Sequence, residues 1–443
     1  MSKRMGASAA ALFVLGAAFA ANASPVLMIS IDGLRPADVI DAKARGMTLP
    51  VLSGLSAHGA YASDVVNVIP TVTYPNHTTL ITGVWPSVHG ISSNTTFDPL
   101  RRNMDGWYWY AEDIKVPTLW DVAHAKGEVA SIGWPVSVGA RSIDFDIPEY
   151  WRANNTEDVK LLRDLSTPGL TDALAARSGA PLSMLIEDSA TEDEGKARYA
   201  VALYETKRPV LFTLHLSTLD HVQHIWGPGT PQAHATLETI DGEVGRVVAA
   251  ARRAEPDVTV VIVSDHGFAP VHDEVNLYRP FIDAGLITVG PATGKITGWA
   301  AMPWGGASAA IVLARPDDAA LRDKVKALLS KLAADPAFHI DRVIDRAEIE
   351  RRGAAKEASF YVDFDLGYEM GQDVSAPPLR KSLARGMHGW FNDHPEMHST
   401  FIIDGPGVAR RGDLGRIDMR DIAPTAAKII GVALPTAQGR PLF

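Results

Sequence analysis

Five runs of six or seven mostly apolar residues limit what this chain can fold into: VLMISI (26–31), EVASIGW (128–134), VLFTLHL (210–216), VTVVIVS (258–264) and STFIID (399–404). Each is short for a helix and lacks the polar alternation of a strand with one wet face. Each therefore predicts a strand buried on both sides. Between them TLWDVAHAK, TEDEGKARYAVALYETK and PQAHATLETIDGEVGRVVAAARRA carry helical periodicity. Buried strands alternating with helices predict an α/β fold, a mostly parallel sheet sandwiched by helices. Residues 280–375 break that rhythm. ASAAIVLA, a helix from about Asp317 to Leu332, HIDRVID and ASFYVDFDL lie between turn-rich flanks and predict a small α+β insertion lobe. The core is then 24–279 and 376–443.

A chain of 443 residues, 46% hydrophobic, is long enough to bury such a core. Its first residues, MSKRMGASAAALFVLGAAFAANAS, read as a secretory signal over 1–23. Lys3 and Arg4 form the charged region, an apolar run follows, and Ala21-Asn22-Ala23 is the cleavage pattern. The expectation is an exported protein, periplasmic or secreted, with no stable membrane span. Formal charge is −10, or −12 once Lys3 and Arg4 are gone. No basic block offers a phosphate-tracking face, so a nucleic-acid binding surface is not expected. Small anionic substrates stay open, because a metal reverses the local field. There are no cysteines, so any metal must be held by His, Asp or Glu, and fourteen histidines are present.

In sheets of this kind ligands sit beyond the carboxyl ends of the strands, and those ends carry a pattern. VLMISI is followed by Asp32, and VTVVIVS by Asp265-His266. VLFTLHL runs into STLDHVQH, with Asp220 and His224 four apart and able to face one ion from a turn of helix. MHGWFNDHPEMH, before the last strand, offers His388, His394 and His398. The seam IPTVTYPNHTTLITG (69–83) holds Thr71, Thr73, Asn76 and His77, with Pro75 suited to a first helical turn and Gly83 to a C-cap. Thr73 has two readings there, a helix cap or a nucleophile where the helix dipole favours an anion. Three carboxylates and several histidines on one edge are ligands that zinc accepts. They suffice for two ions, and two neighbouring ions suit in-line displacement at phosphorus.

SIDGLRPADV, PTVTYPNHTTLITGVWPSVHGI, LDHVQHIWGP, VSDHGF and HGWFN resemble the nucleotide pyrophosphatase/phosphodiesterase family of the alkaline phosphatase superfamily, in the right order over nearly the whole chain after the leader. The resemblance implies an α/β core, two zinc ions and a threonine nucleophile, acting on a small phosphoester or nucleotide. Thr73 matches the nucleophile and, with Asp32, Asp265 and His266, surrounds the zinc that activates it. Asp220, His224 and His388 match the ligands of the second zinc. Asn94, in HGISSNTTFD, matches the asparagine that donates to a phosphoryl oxygen. His77, His89, His394 and His398 are expected to be structural or supporting.

Tyr74, Trp134 and His215 are the expected substrate contacts. Tyr74 fits the aromatic beside the nucleophile, while His215 stands where the family's nucleotidases place a second aromatic, and their E-P-D reads S-T-L-D. Threonine phosphomonoesterases of the superfamily add a Lys and an Arg. The matching segment SIGWPVSVGARSID has only Arg141, and Trp134-Pro135 looks like the diesterase version. The leading expectation is a phosphodiesterase or pyrophosphatase. A phosphomonoesterase and a metal-stabilised binding protein without turnover are the alternatives.

Overall fold

The computed structural model describes residues 23–103, 106–152, 155–186 and 190–443. The expected signal segment lies outside the described residues, apart from Ala23. No described helix is long and apolar enough to cross a membrane.

The strand Val26–Ile31 is the axis of the main sheet. It pairs in parallel with Leu211–Leu216 on one side and Thr259–Val263 on the other. Val129–Ile132 and then Phe145–Ile147 continue the parallel set beyond Leu211–Leu216. On the opposite side Ser399–Asp404 lies antiparallel to Thr259–Val263, and Ala60–Val66 lies antiparallel to it in turn. Residues of the axial strand divide between two cores, as a period of two requires. Leu27, Ile29 and Ile31 enter the core under helices Pro50–His58 and Pro231–Ala254. Val26 and Met28 enter the one under Leu119–His124 and Ile422–Ile430.

Register decides where the polar residues fall. Ser30 pairs with His215 and with Val263, so the three central strands end level. Asp32, the start of helix Thr218–Trp226 and Asp265-His266 therefore emerge along one edge.

A second body of sheet follows His266. Ala301–Gly305, Ala309–Leu313, Ala358–Phe364 and Ile340–Asp345 form an antiparallel sheet backed by helix Ala319–Ala333. Asp273–Val275 pairs with Tyr368–Met370 and Leu379–Lys381, and Ala269–Pro270 with Gly386–Met387. Through these short strands the lobe is rooted in the same stretch that carries His388.

Candidate active site

Helix Thr73–Thr82 begins at the sheet edge, and Thr73 is its first residue rather than its cap. Val72 is the N-cap, and no side chain caps the helix. The capping reading of Thr73 is thereby excluded. Its hydroxyl is left for other work, with Oγ1 3.5 Å from His266 Nε2. The rest of the seam holds it in place. Asn76 accepts the Val68 N–H at 2.9 Å and donates to the carbonyls of Pro70 and Val72 at 2.9 and 2.8 Å. The Thr71 hydroxyl donates to the Trp390 carbonyl at 2.7 Å and accepts the Gly389 N–H at 3.0 Å, tying the seam to the loop of His388.

Beside Thr73 the strand ends bring six residues together. Donor atoms of Asp32, Asp265 and His266 lie within 4.8 Å of one another, as do those of Asp220, His266 and His388. His224 Nε2 stands 3.3 Å from Asp220 Oδ2. His266 belongs to both groups, and its ring stacks on that of His388 at 3.6 Å.

Two observations show that this cluster fits metal ions. First, Asp32 Oδ1, Asp220 Oδ1 and Asp265 Oδ2 are buried without a hydrogen-bond partner, a costly arrangement unless a cation meets them. Second, each histidine gives its Nδ1–H to a backbone carbonyl and leaves Nε2 facing the carboxylates. His388 donates to Thr71 at 3.0 Å, His224 to Gly386 at 3.0 Å and His266 to Gly267 at 3.1 Å. Such outer bonds fix the tautomer of a ligating imidazole. Electrostatics agree. Burial, then the charges of Asp265 and Asp220, push the Asp32 carboxyl well above the carboxylate range. Burial opposes the charge on Asp220 too, but His224 and His388 outweigh it and hold that carboxyl low.

His77, His89, His394 and His398 have partners of other kinds. His77 donates from Nδ1 to the Thr73 carbonyl at 3.0 Å and meets Ser30 Oγ at 2.8 Å. His89 contacts Thr79, and burial holds it down at about 3, so it is neutral. His398 contacts the Asn392 carbonyl, and His394 joins Asp341 and Asp363 in the lobe, where Arg342 supplies a cation.

A cavity of about 340 Å³ opens over the cluster, walled by Thr73, Tyr74, Trp107, Glu149, Lys196 and His215 among others. The expected substrate contacts need correction here. Trp134 is fully buried and does not reach the cavity. Gly133 turns the chain at φ 68° after its strand, and the indole drops into the core edge-on to His77 at 5.0 Å. Tyr74 borders the cavity, but its ring is packed against Trp107 and Trp109 and its hydroxyl donates to Glu149 at 2.7 Å. His215 lies on the floor, 3.1 Å from His77 and 3.5 Å from Asp32. The half-exposed aromatic walls are Trp107, Tyr150 and Trp151. Sequence reasoning missed them, although the dense runs WYWY (107–110) and EYW (149–151) mark them.

Lys196 was missed as well. It reaches the cavity from helix Ala190–Tyr204, pairs with Glu192 at 2.5 Å and donates to Ser217 Oγ at 3.2 Å. Asp193 of the same helix accepts the N–H groups of Ser217 and Thr218 at 2.9 and 3.1 Å. That satisfies the first donors of the helix bearing Asp220 and His224. Arg141 is exposed and borders neither cavity that adjoins the site. Asn94 Oδ1 accepts the Tyr74 N–H at 2.9 Å, beside Thr73.

Known proteins resemble this chain over most of its length. An uncharacterized pyrophosphatase/phosphodiesterase of Schizosaccharomyces pombe is 25% identical over 86% of this chain and 71% of its own length. Ectonucleotide pyrophosphatase/phosphodiesterase family member 1 of Homo sapiens is 24% identical over 86% of this chain, which spans only 37% of that protein. Among solved structures, murine ectonucleotide pyrophosphatase/phosphodiesterase 5 in an inactive form with AMP superposes with a TM-score of 0.64 at 20% identity, covering 94% of this chain and 97% of that one. Residues 26–390 match the family described as Type I phosphodiesterase / nucleotide pyrophosphatase. From the first strand of the sheet to the loop that carries His388, the chain belongs to that family, within the alkaline phosphatase superfamily.

Proposed function

We propose that the protein is an exported hydrolase of phosphodiester or pyrophosphate bonds that holds two zinc ions and works through a covalent intermediate on Thr73. The observation that carries this reading is the Thr73 hydroxyl, capping nothing at the head of its helix, against a largely buried cluster of three carboxylates and three imidazoles. Nitrogen and carboxylate donors without sulfur suit zinc. When bound, such ions lower the pKa of an attacking hydroxyl and offset charge on a leaving oxygen.

The chain's own residues supply the rest. Thr73 Oγ forms a bond to phosphorus as the bond to one ester oxygen breaks; its proton passes to solvent, solvent protonates the departing oxygen, and the alcohol leaves. Water then attacks phosphorus and breaks the Oγ–P bond, restoring the threonine. The amide group of Asn94 donates to a phosphoryl oxygen, and the helix N-terminus favours the anion throughout. The AMP held by the murine relative supports a nucleotide-type substrate.

Lys196 is the one observation favouring a phosphomonoesterase, since a dianionic ester needs cations beyond the metals. Its charge is already met by Glu192, and Arg141 lines neither cavity. A binding protein without turnover has no use for an uncapped threonine at this seam. The test is purified zinc-loaded protein offered bis-(p-nitrophenyl) phosphate and p-nitrophenyl phosphate. A higher kcat/KM for the diester is expected. A monoester handled tenfold better would move the protein to the monoesterases, and turnover of neither would leave the binding reading.

A further inference from the structure

A second cavity, of about 470 Å³, adjoins the same site at Asn94 and His388. It starts beside Val72, Asn94 and His388 and runs outward between the segment 93–101 and the lobe. On one side the chain folds back on itself. Thr95 bridges to Trp107, the Thr96 N–H meets the Gly106 carbonyl at 2.9 Å, and the Tyr108 N–H meets that of Asn94 at 3.0 Å. This ribbon has Asn94 at its base and divides the cavities, with Trp107 walling the first and Phe97 the second. On the other side Trp304, from strand Ala301–Gly305, closes on Phe97 at 5.3 Å, and Trp299 meets the same ring edge-on at 5.3 Å. Phe97 and Trp304 stay half-buried and both line the cavity, so part of its wall is aromatic.

The border with the catalytic cluster is selective. Of the six clustered Asp and His residues the second cavity touches His388 alone, whereas Asp32, Asp220, His224 and Thr73 line the first. It therefore meets the cluster at a residue of the set matched to the second ion, the ion that offsets charge on the leaving oxygen in the reading above. We propose that this cavity is the leaving-group subsite and accepts a planar aromatic alcohol, aryl or nucleoside, against Trp304 and Phe97. The assignment rests on the diester reading above. Aromatic groups in such surroundings gain from stacked or edge contacts beyond simple burial, and a single stacking face is worth about tenfold or more in affinity.

The test has a binding arm and a kinetic arm. In zinc-loaded Thr73→Ala protein, adding Trp304→Ala or Phe97→Ala should weaken diphenyl phosphate about tenfold by calorimetry while dimethyl phosphate changes less than twofold. Trp304→Phe should recover most of the loss. In the protein with Thr73 intact, the same substitutions should lower kcat/KM about tenfold for methyl p-nitrophenyl phosphate, whose one aromatic group is the one that leaves. Equal effects on both binding probes, or none, would overturn the aromatic subsite. Weaker diphenyl phosphate with an unchanged rate on methyl p-nitrophenyl phosphate would overturn its assignment to the leaving group. Failure of the unsubstituted protein to hydrolyse any diester would instead refute the function, and the binding arm would still report on the subsite. Two substitutions on opposite walls keep the outcome decisive should one fail to fold.

Discussion

Asn94 Oδ1 accepts the backbone N–H of Tyr74 at 2.9 Å, so the residue next to Thr73 fixes which end of the Asn94 amide faces the site. With the oxygen engaged, the NH₂ group is left as donor. Asn94→Ala should lose about 2.7–4 kcal/mol of transition-state stabilisation, the range for such donors. Asn94→Asp keeps the bond to Tyr74 but replaces the donor with charge, and should be worse. Steady-state kinetics on the diester checks both, and unchanged rates would remove Asn94 from the site.

Metal removal should destabilise as well as inactivate. Asp32, Asp220 and Asp265 hold buried oxygens without a hydrogen-bond partner, and Asp32 is driven towards its neutral form by burial and like charge. Ions that bind the folded chain and relieve this raise Tm by mass action. Elemental analysis of active protein should find two divalent ions per chain. Dialysis against a chelator should lower Tm and abolish hydrolysis, and zinc should restore both. Full activity with one ion or none would refute the two-metal account.

Trp134 separates the corrected reading from the expected one. A fully buried indole reduced to alanine costs about 3–5 kcal/mol. Trp134→Ala should therefore lower Tm markedly, while folded protein keeps KM for the diester within a few-fold. A large rise in KM without a loss of Tm would return Trp134 to the substrate site.

The lobe carries a pH-sensitive group in Glu369. Burial pushes its carboxyl up to about 7, although the Ser382 hydroxyl, donating at 2.6 Å, pulls the other way. The folded state thus holds the proton more tightly than the unfolded chain. Stability from this group is complete below its ordinary value near 4.5 and is lost as pH rises through about 7. Glu369→Gln stays uncharged and should remove this loss, on the order of 1–3 kcal/mol between pH 4.5 and 8. Urea unfolding of both proteins across that range is the check, and parallel pH profiles would contradict it.

The continuous apolar runs were readable because strands buried on both faces carry no polar residue to obscure them. The strand Ala60–Val66 was not read, since AYASDVV mixes buried and exposed positions near the sheet margin. Asp32, Asp265 and His266 declared themselves by following strands directly, and Asp220 and His224 by their helical spacing. The substrate walls did not. Trp107, Trp151 and Lys196 reach the cavity from segments remote in sequence, so only tertiary packing shows them. Trp134 misled because it sits directly after a strand, where Gly133 turns its ring inward.

Thr73→Ala in the zinc-loaded protein tests the central claim most directly. The hydroxyl caps nothing, so the fold and metal content should survive, with Tm close to that of the parent. The covalent route closes, and kcat/KM for bis-(p-nitrophenyl) phosphate should fall by orders of magnitude. A variant holding two ions per chain and hydrolysing the diester near the parent rate would contradict the account.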